Sequence, residues 1–151
     1  MTRITLMCEV GEEHKPFLES QLQAACDMIA DPPQELSVAV IDGDTMSRLH
    51  ERFLGKPQQT DVLSFPLAQD AAGQVVEGEV VICLPVAERE AAVRRHPVEH
   101  ELLLYALHGV LHLCGYDDLE ESSNAVMHEK EDHIMRQLGL GPVFARHAEG
   151  R

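Results

Sequence analysis

The sequence predicts an α+β (α/β-like) fold, a small mixed sheet of four strands covered by about five helices. Three observations lead there. Compact apolar segments rich in β-formers alternate with longer segments of helical spacing. The third and fourth β-like segments, residues 60–66 and 78–84, are joined by a connection short enough for a hairpin, which makes the sheet mixed. A chain of 151 residues, 44% hydrophobic and 25% charged, has the size and composition for one core of ordinary globular type.

Residues 4–10 are apolar and β-rich and read as the first strand, broken by Gly11-Glu12-Glu13. Pro16 stands near a helix start. Phe17, Leu18, Leu22, Ala25, Cys26 and Ile29 then keep helical spacing up to Asp31-Pro32-Pro33. Residues 36–41 are a compact apolar run between turn residues, hence a buried strand. Asp42-Gly43-Asp44 turns the chain, and Asp44 or Thr45 is expected to cap a short helix through Met46, Leu49 and Phe53. Residues 55–59 form a loop, and residues 60–66 a short strand closed by Pro66. A polar stretch containing Gly73 leads to residues 78–84, the most strongly β segment of the chain. Pro85 opens a helix through Val86, Ala87, Ala91 and Val93, which His96-Pro97 interrupts. A long helix follows over about 98–114, and a last one over 120–138, ended by Gly139. Residues 1–140 make one domain, and 141–151 a frayed C-terminal tail.

Twelve basic against 26 acidic residues give a net charge of −14, which argues against general affinity for nucleic acid. A nucleic-acid substrate would need locally concentrated positive charge. Six basic residues do fall between positions 48 and 95: Arg48, Arg52, Lys56, Arg89, Arg94 and Arg95. No run approaches the roughly 20 apolar residues of a membrane helix, and the N-terminus lacks a secretory apolar core. A cytoplasmic location and no membrane association are expected. Cys8, Cys26, Cys83 and Cys114 are scattered without a CxxC pair and read as reduced, buried small hydrophobes.

The chemistry concentrates in His108-Gly109-Val110-Leu111-His112-Leu113-Cys114-Gly115-Tyr116-Asp117-Asp118. His108 and His112 are four residues apart and share one helix face. Gly115 stands where a helix ends in a left-handed residue. Two acidic side chains follow that can fold back toward the histidines. Leu103, Leu104, Leu107, Val110 and Leu111 surround the pair, so the helix is apolar almost all round and buried. Buried histidines without partners are costly, and a metal ion resolves the cost. Gly109 occupies the position that holds the general-base glutamate in an HExxH peptidase, which argues against peptidase chemistry of that kind. A helical glycine also costs roughly 1 kcal/mol against alanine, so it implies close approach of another element or room for a substrate. His100 lies two turns before His108, too far to ligate. His128 and His133 are expected to be exposed on the last helix, and Glu99 and Glu101 to serve the helix N-terminus and its dipole.

The stretch His-Gly-Val-Leu-His-Leu-Cys-Gly-Tyr-Asp resembles the signature of the YbeY family, bacterial endoribonucleases of ribosomal RNA maturation. Thr60-Asp61-Val62-Leu63-Ser64-Phe65-Pro66 resembles the family's second landmark, and Gly78-Glu79-Val80-Val81-Ile82-Cys83 its following strand. Met127 with Glu131 matches the spacing of its last helix. The likeness spans roughly residues 36–140. It implies a single-strand-specific, metal-dependent endoribonuclease acting at the 3′ end of small-subunit (16S) ribosomal RNA and in ribosome quality control. Ribosomal RNA and the small ribosomal subunit would be its partners.

Carried over by position, the metal ligands and catalytic residues are His108, His112 and Asp118. Asp118 stands where the family usually has a third histidine, and Asp117 is the competing ligand or a loop-capping side chain. One Zn2+ is expected. Two histidines and a carboxylate also suit Fe2+, and Ni2+ is a further candidate. A second departure is Leu54, where many family members carry an arginine for RNA phosphate. Arg48 and Arg52 share a helix face with Lys56 just beyond, and either supply a phosphate clamp instead or form a solvated basic face. Asp61 and Ser64 either line the cleft or serve the sheet. Two other functions remain open: a metal hydrolase with a non-RNA substrate, and a non-catalytic ribosome assembly factor with a structural metal.

Overall fold

The structure, a computed structural model, describes residues 1–117 and 119–140. In chain order its elements are β1 (Arg3–Cys8), α1 (Lys15–Cys26), β2 (Glu35–Ile41), α2 (Gly43–Leu54), β3 (Val62–Gln69), β4 (Val75–Cys83), α3 (Leu84–Arg94), α4 (Val98–Leu113) and α5 (Glu121–Gln137), with a single 3-10 turn at Glu12–His14 before α1. The sheet runs β1-β2-β4-β3. β1, β2 and β4 are parallel, and β3 lies antiparallel to β4 at one edge. This is the mixed four-stranded α+β sheet that the sequence predicts.

Strand alternation assigns the two faces. Leu36, Val38 and Val40 of β2 and Val80 and Ile82 of β4 face the main core, which is filled by α1, α4 and α5. Ile41, Val81 and Cys83 face the other side, where Met46 and Leu49 of α2 cover them with Leu63 and Phe65 of β3. The middle of α4 is apolar on every side, and Leu102, Leu103, Leu104, Leu107 and Leu111 are fully buried. Each such leucine contributes about 1.5–3 kcal/mol relative to exposure. α4 is therefore the rigid axis on which the histidines are mounted.

Several local expectations change. The cap of α2 is Asp42, not Asp44 or Thr45. Its backbone is still extended, and its carboxylate accepts the Thr45 N–H over 2.8 Å. Asp44 and Thr45 already lie inside the helix. β3 does not stop at Pro66 but continues to Gln69, with an irregular register after Pro66. An edge strand tolerates a residue that cannot donate to the ladder. β4 begins at Val75, and Asp70 closes the hairpin by accepting from Ala72 N (2.9 Å) and Gln74 N (3.0 Å). Cys26 and Cys83 are buried, whereas Cys8 and Cys114 are only half-buried. The expected frayed tail, 141–151, lies outside the described residues.

Candidate functional site

Gly109 sets how closely α4 approaches the sheet. An added Cβ there would come within 2.7 Å of Val80 Cγ1 and 3.3 Å of Val62 Cγ2. Both reasons that the sequence allowed for a helical glycine apply: β4 and β3 approach closely, and Gly109 also lines the cleft beside the histidines. With this contact fixed, α4 ends one turn later. Gly115 takes φ +100°, and the Tyr116 N–H returns to the Leu111 carbonyl over 3.0 Å.

His108 and His112 face the flank of β3, with ring centroids 5.2 Å apart and edge-to-face. They open on a cleft of about 460 Å³ whose other walls are Leu54, Thr60, Asp61, Val62, Leu63 and Ser64. A second hollow of about 400 Å³ shares Ser64 and His112 and continues past Gln69 and Gly73 to Gly115. The two hollows meet at Ser64 and His112, and His108 lines the first alone. Asp61 and Ser64 both line the first of them. Arg48, Arg52 and Lys56 lie on the exposed side of α2 and its following loop, outside the cleft wall. The Arg52 guanidinium sits 5.6 Å from the Phe53 ring centroid.

Behind the pair, α5 supplies a carboxylate. Glu131 is fully buried, and its Oε2 lies 2.6 Å from His108 Nδ1. His128 Nδ1 lies 3.2 Å from the other oxygen, Oε1. Burial pushes the Glu131 carboxyl up, but its contacts with His108 and then His128 outweigh it and hold the group below the ordinary carboxylate range. His128 is thus turned inward, not exposed as expected, because it shares a helix face with Glu131 one turn on. His133 is exposed.

Glu131 had a signal in the sequence that reading for helix ends and metal spacing passes over. Met127, Glu131, Ile134 and Met135 form the buried stripe of α5, so a carboxylate stands on its apolar face. Glu101 corrects a different expectation. It does not merely flank the α4 N-terminus: it is fully buried, accepts from Arg94 Nη1 over 2.7 Å and pairs with His96. Arg94, which also meets Glu90 at 2.8 Å, is therefore a structural cation, removed from any substrate-facing patch.

The donor set suits a metal ion in two of its members. At Zn–N distances of about 2.0–2.1 Å, two imidazoles on one tetrahedral ion place their ring centroids about 5 Å apart, close to the observed separation. Glu131 occupies His108 Nδ1 and leaves Nε2 for the cleft. Among the described residues, no group of three His, Cys, Asp or Glu side chains could hold a metal. Asp118 lies outside the described residues. Asp117 is engaged in its loop, where its carboxylate accepts the Leu119 N–H over 3.2 Å. Among the described residues, no helix is long and apolar enough to cross a membrane.

Comparison with known proteins gives a consistent picture. The family model described as Endoribonuclease YbeY matches residues 7–139. The protein named Endoribonuclease YbeY from Lysinibacillus sphaericus is 35% identical over 143 residues, covering 88% of this chain and 91% of the relative. Its namesake from Carboxydothermus hydrogenoformans is 41% identical over 105 residues, 70% and 73% of the two chains. The solution structure of TM1509 from Thermotoga maritima superposes with a TM-score of 0.60 at 26% identity, over 90% of this chain and 91% of that one.

Proposed function

The chain belongs to the YbeY endoribonuclease family, and from that premise we propose that it is a metal-dependent endoribonuclease that cuts single-stranded RNA and matures the 3′ end of small-subunit (16S) ribosomal RNA. Family membership supports the endoribonuclease role. The observation that carries the metal-dependent part is the pairing of His108 and His112 in the cleft along β3, with His112 at its junction with a second hollow.

His108 and His112 would hold one Zn2+, Fe2+ or Ni2+ ion, with Asp118 as the third ligand. When bound, the ion would polarise a phosphoryl oxygen or activate a water for attack on the phosphodiester. The chain's own contribution is placement. Gly109 lets α4 seat both rings against β3, and Glu131 holds the His108 ring from behind. Asp61 and Ser64 lie where a strand threading the hollows would pass, and Ser64 borders both. Arg48, Arg52 and Lys56 would meet phosphates leaving the Leu54 end.

The test combines metal analysis of the purified chain with cleavage of a 16S 3′-end RNA, with and without chelator. His112→Ala is expected to lose metal and cleavage together, and loss of metal with cleavage intact would sink the catalytic role. The net charge of −14 and a cleft wall that holds no Lys or Arg among the described residues favour a second reading, a metal hydrolase of a non-RNA substrate. RNA recognition gives affinity that falls steeply with salt, whereas the second reading gives weak RNA binding at every salt concentration.

A further inference from the structure

Glu131 does more than fill a place in the core. It is a fully buried carboxylate on α5, between the buried Met127 and Ile134, and it reaches the one histidine of α4 whose ring both lines the cleft and stays nearly inaccessible to water. A carboxylate in such surroundings needs polar partners to offset its burial. Oε2 lies 2.6 Å from His108 Nδ1, and Oε1 lies 3.2 Å from His128 Nδ1, an ion-pair distance without hydrogen-bond geometry. The short contact is that of a ring N–H donating to a carboxylate oxygen, which makes His108 Nδ1 the N–H. In the neutral imidazole the lone pair then belongs to Nε2, the nitrogen left for the cleft.

We propose that Glu131 is the positioning residue of this site: it fixes His108 as the Nδ1–H tautomer and aims Nε2 into the cleft, with His128 steadying the second carboxylate oxygen. The assignment deepens the metal-centre reading above and rests on it for its use, but not for its geometry. His128 acts through Glu131 and touches nothing that reacts. A carboxylate behind a ligating histidine raises the ligand's basicity and removes the freedom of the ring to turn away.

The experiment uses the full chain, stripped of metal and labelled with 15N, and reads the imidazole nitrogens of His108 near neutral pH by NMR. The same preparations are then titrated with Zn2+ against a competing chelator. Wild type should show His108 as one tautomer, protonated on Nδ1. Glu131→Gln presents both an acceptor and a donor to Nδ1, so it should give a tautomer mixture and bind zinc about 10–100-fold more weakly. Glu131→Asp keeps the charge and should recover part of both. A wild-type His108 protonated on Nε2 overturns the proposal whether or not the variants fold. So does a Glu131→Gln chain with unchanged tautomer and zinc affinity within twofold of wild type. A wild-type chain with the Nδ1–H tautomer that takes up no zinc supports the Glu131 assignment and overturns the metal-centre reading instead.

Discussion

Arg94 Nη1 donates to Glu101 Oε1 across 2.7 Å with both side chains withdrawn from water, and this contact joins the end of α3 to the start of α4. Breaking a buried pair costs about 3–5 kcal/mol when the remaining charge is left alone, but Arg94 would keep its half-exposed partner Glu90. Glu101→Ala is therefore expected to lose stability in urea denaturation by no more than the lower end of that range. Glu101→Gln, which keeps an acceptor for Arg94, should lose less. A Glu101→Ala loss below about 1 kcal/mol would mean that Glu90 and water together replace the contact.

Gly109 and Val80 define the seat of the histidine helix. Alanine at 109 would gain about 1 kcal/mol of helix propensity, but its Cβ would meet Val80 Cγ1 at 2.7 Å. Val80 is β-branched and stiff, so it cannot swing aside. Overpacking of this kind costs about 1–3 kcal/mol, and α4 must lift from β4 to relieve it. Gly109→Ala is expected to be destabilised on balance and to lose RNA cleavage by more than its stability explains. Adding Val80→Ala should restore part of the cleavage rate. A Gly109→Ala chain that cleaves like wild type would show that the helix seat tolerates the shift.

What the sequence made legible follows from periodicity and local chemistry. The mixed four-stranded sheet, the buried helix under the histidines and the left-handed stop at Gly115 all come from patterns within one segment or between neighbours. Contacts between segments distant in sequence were not legible. Glu131 meets His108 across 23 residues, and nothing local announces which buried partner a carboxylate on an apolar stripe will find. His128 looked exposed for the same reason. Glu101 looked like a dipole partner because its position in the first turn of α4 is a local fact, whereas Arg94 and His96 reach it only after the α3–α4 corner has formed. Pro66 failed as a strand stop because whether proline is tolerated depends on the strand's being at the sheet edge, a property of topology.

The Cys26 thiol is pushed up to about 12, mainly by burial, with the neighbouring Cys114 and Asp27 adding to it. At pH 8 a thiol of that kind is thiolate in only about one molecule in ten thousand, against roughly a quarter for a free cysteine. Disulfide-exchange reagents are expected to leave Cys26 unmodified in the native chain and to modify it at once in denaturant. The count of released chromophore over time, with modified sites mapped by mass spectrometry, checks this. Modification of Cys26 on the timescale of the half-buried Cys8 would place it outside the core.

Asp42 gives a pH dependence whose sign is fixed by its contacts. The backbone N–H of Thr45, then its hydroxyl, hold the carboxyl below the ordinary carboxylate value, with a smaller pull from Arg48. A carboxyl depressed in the folded state favours folding at pH above its ordinary value near 3.9 and loses that contribution as pH falls through the lower folded value. Asp42→Ala removes the cap of α2, the helix whose last residue, Leu54, walls the cleft. Its melting temperature should therefore lie below that of wild type by a constant few degrees from about pH 8 to pH 5. Below about pH 4 the gap should narrow, because protonation progressively weakens the cap in the wild-type chain while the variant has no carboxyl to titrate. Asp42→Asn, an equally good cap without a titrating group, should track wild type near neutral pH and keep a constant offset above Asp42→Ala into acid. A gap between wild type and Asp42→Ala that widens on acidification would mean that the Asp42 carboxyl is raised rather than depressed, and that Thr45 is not its partner in solution.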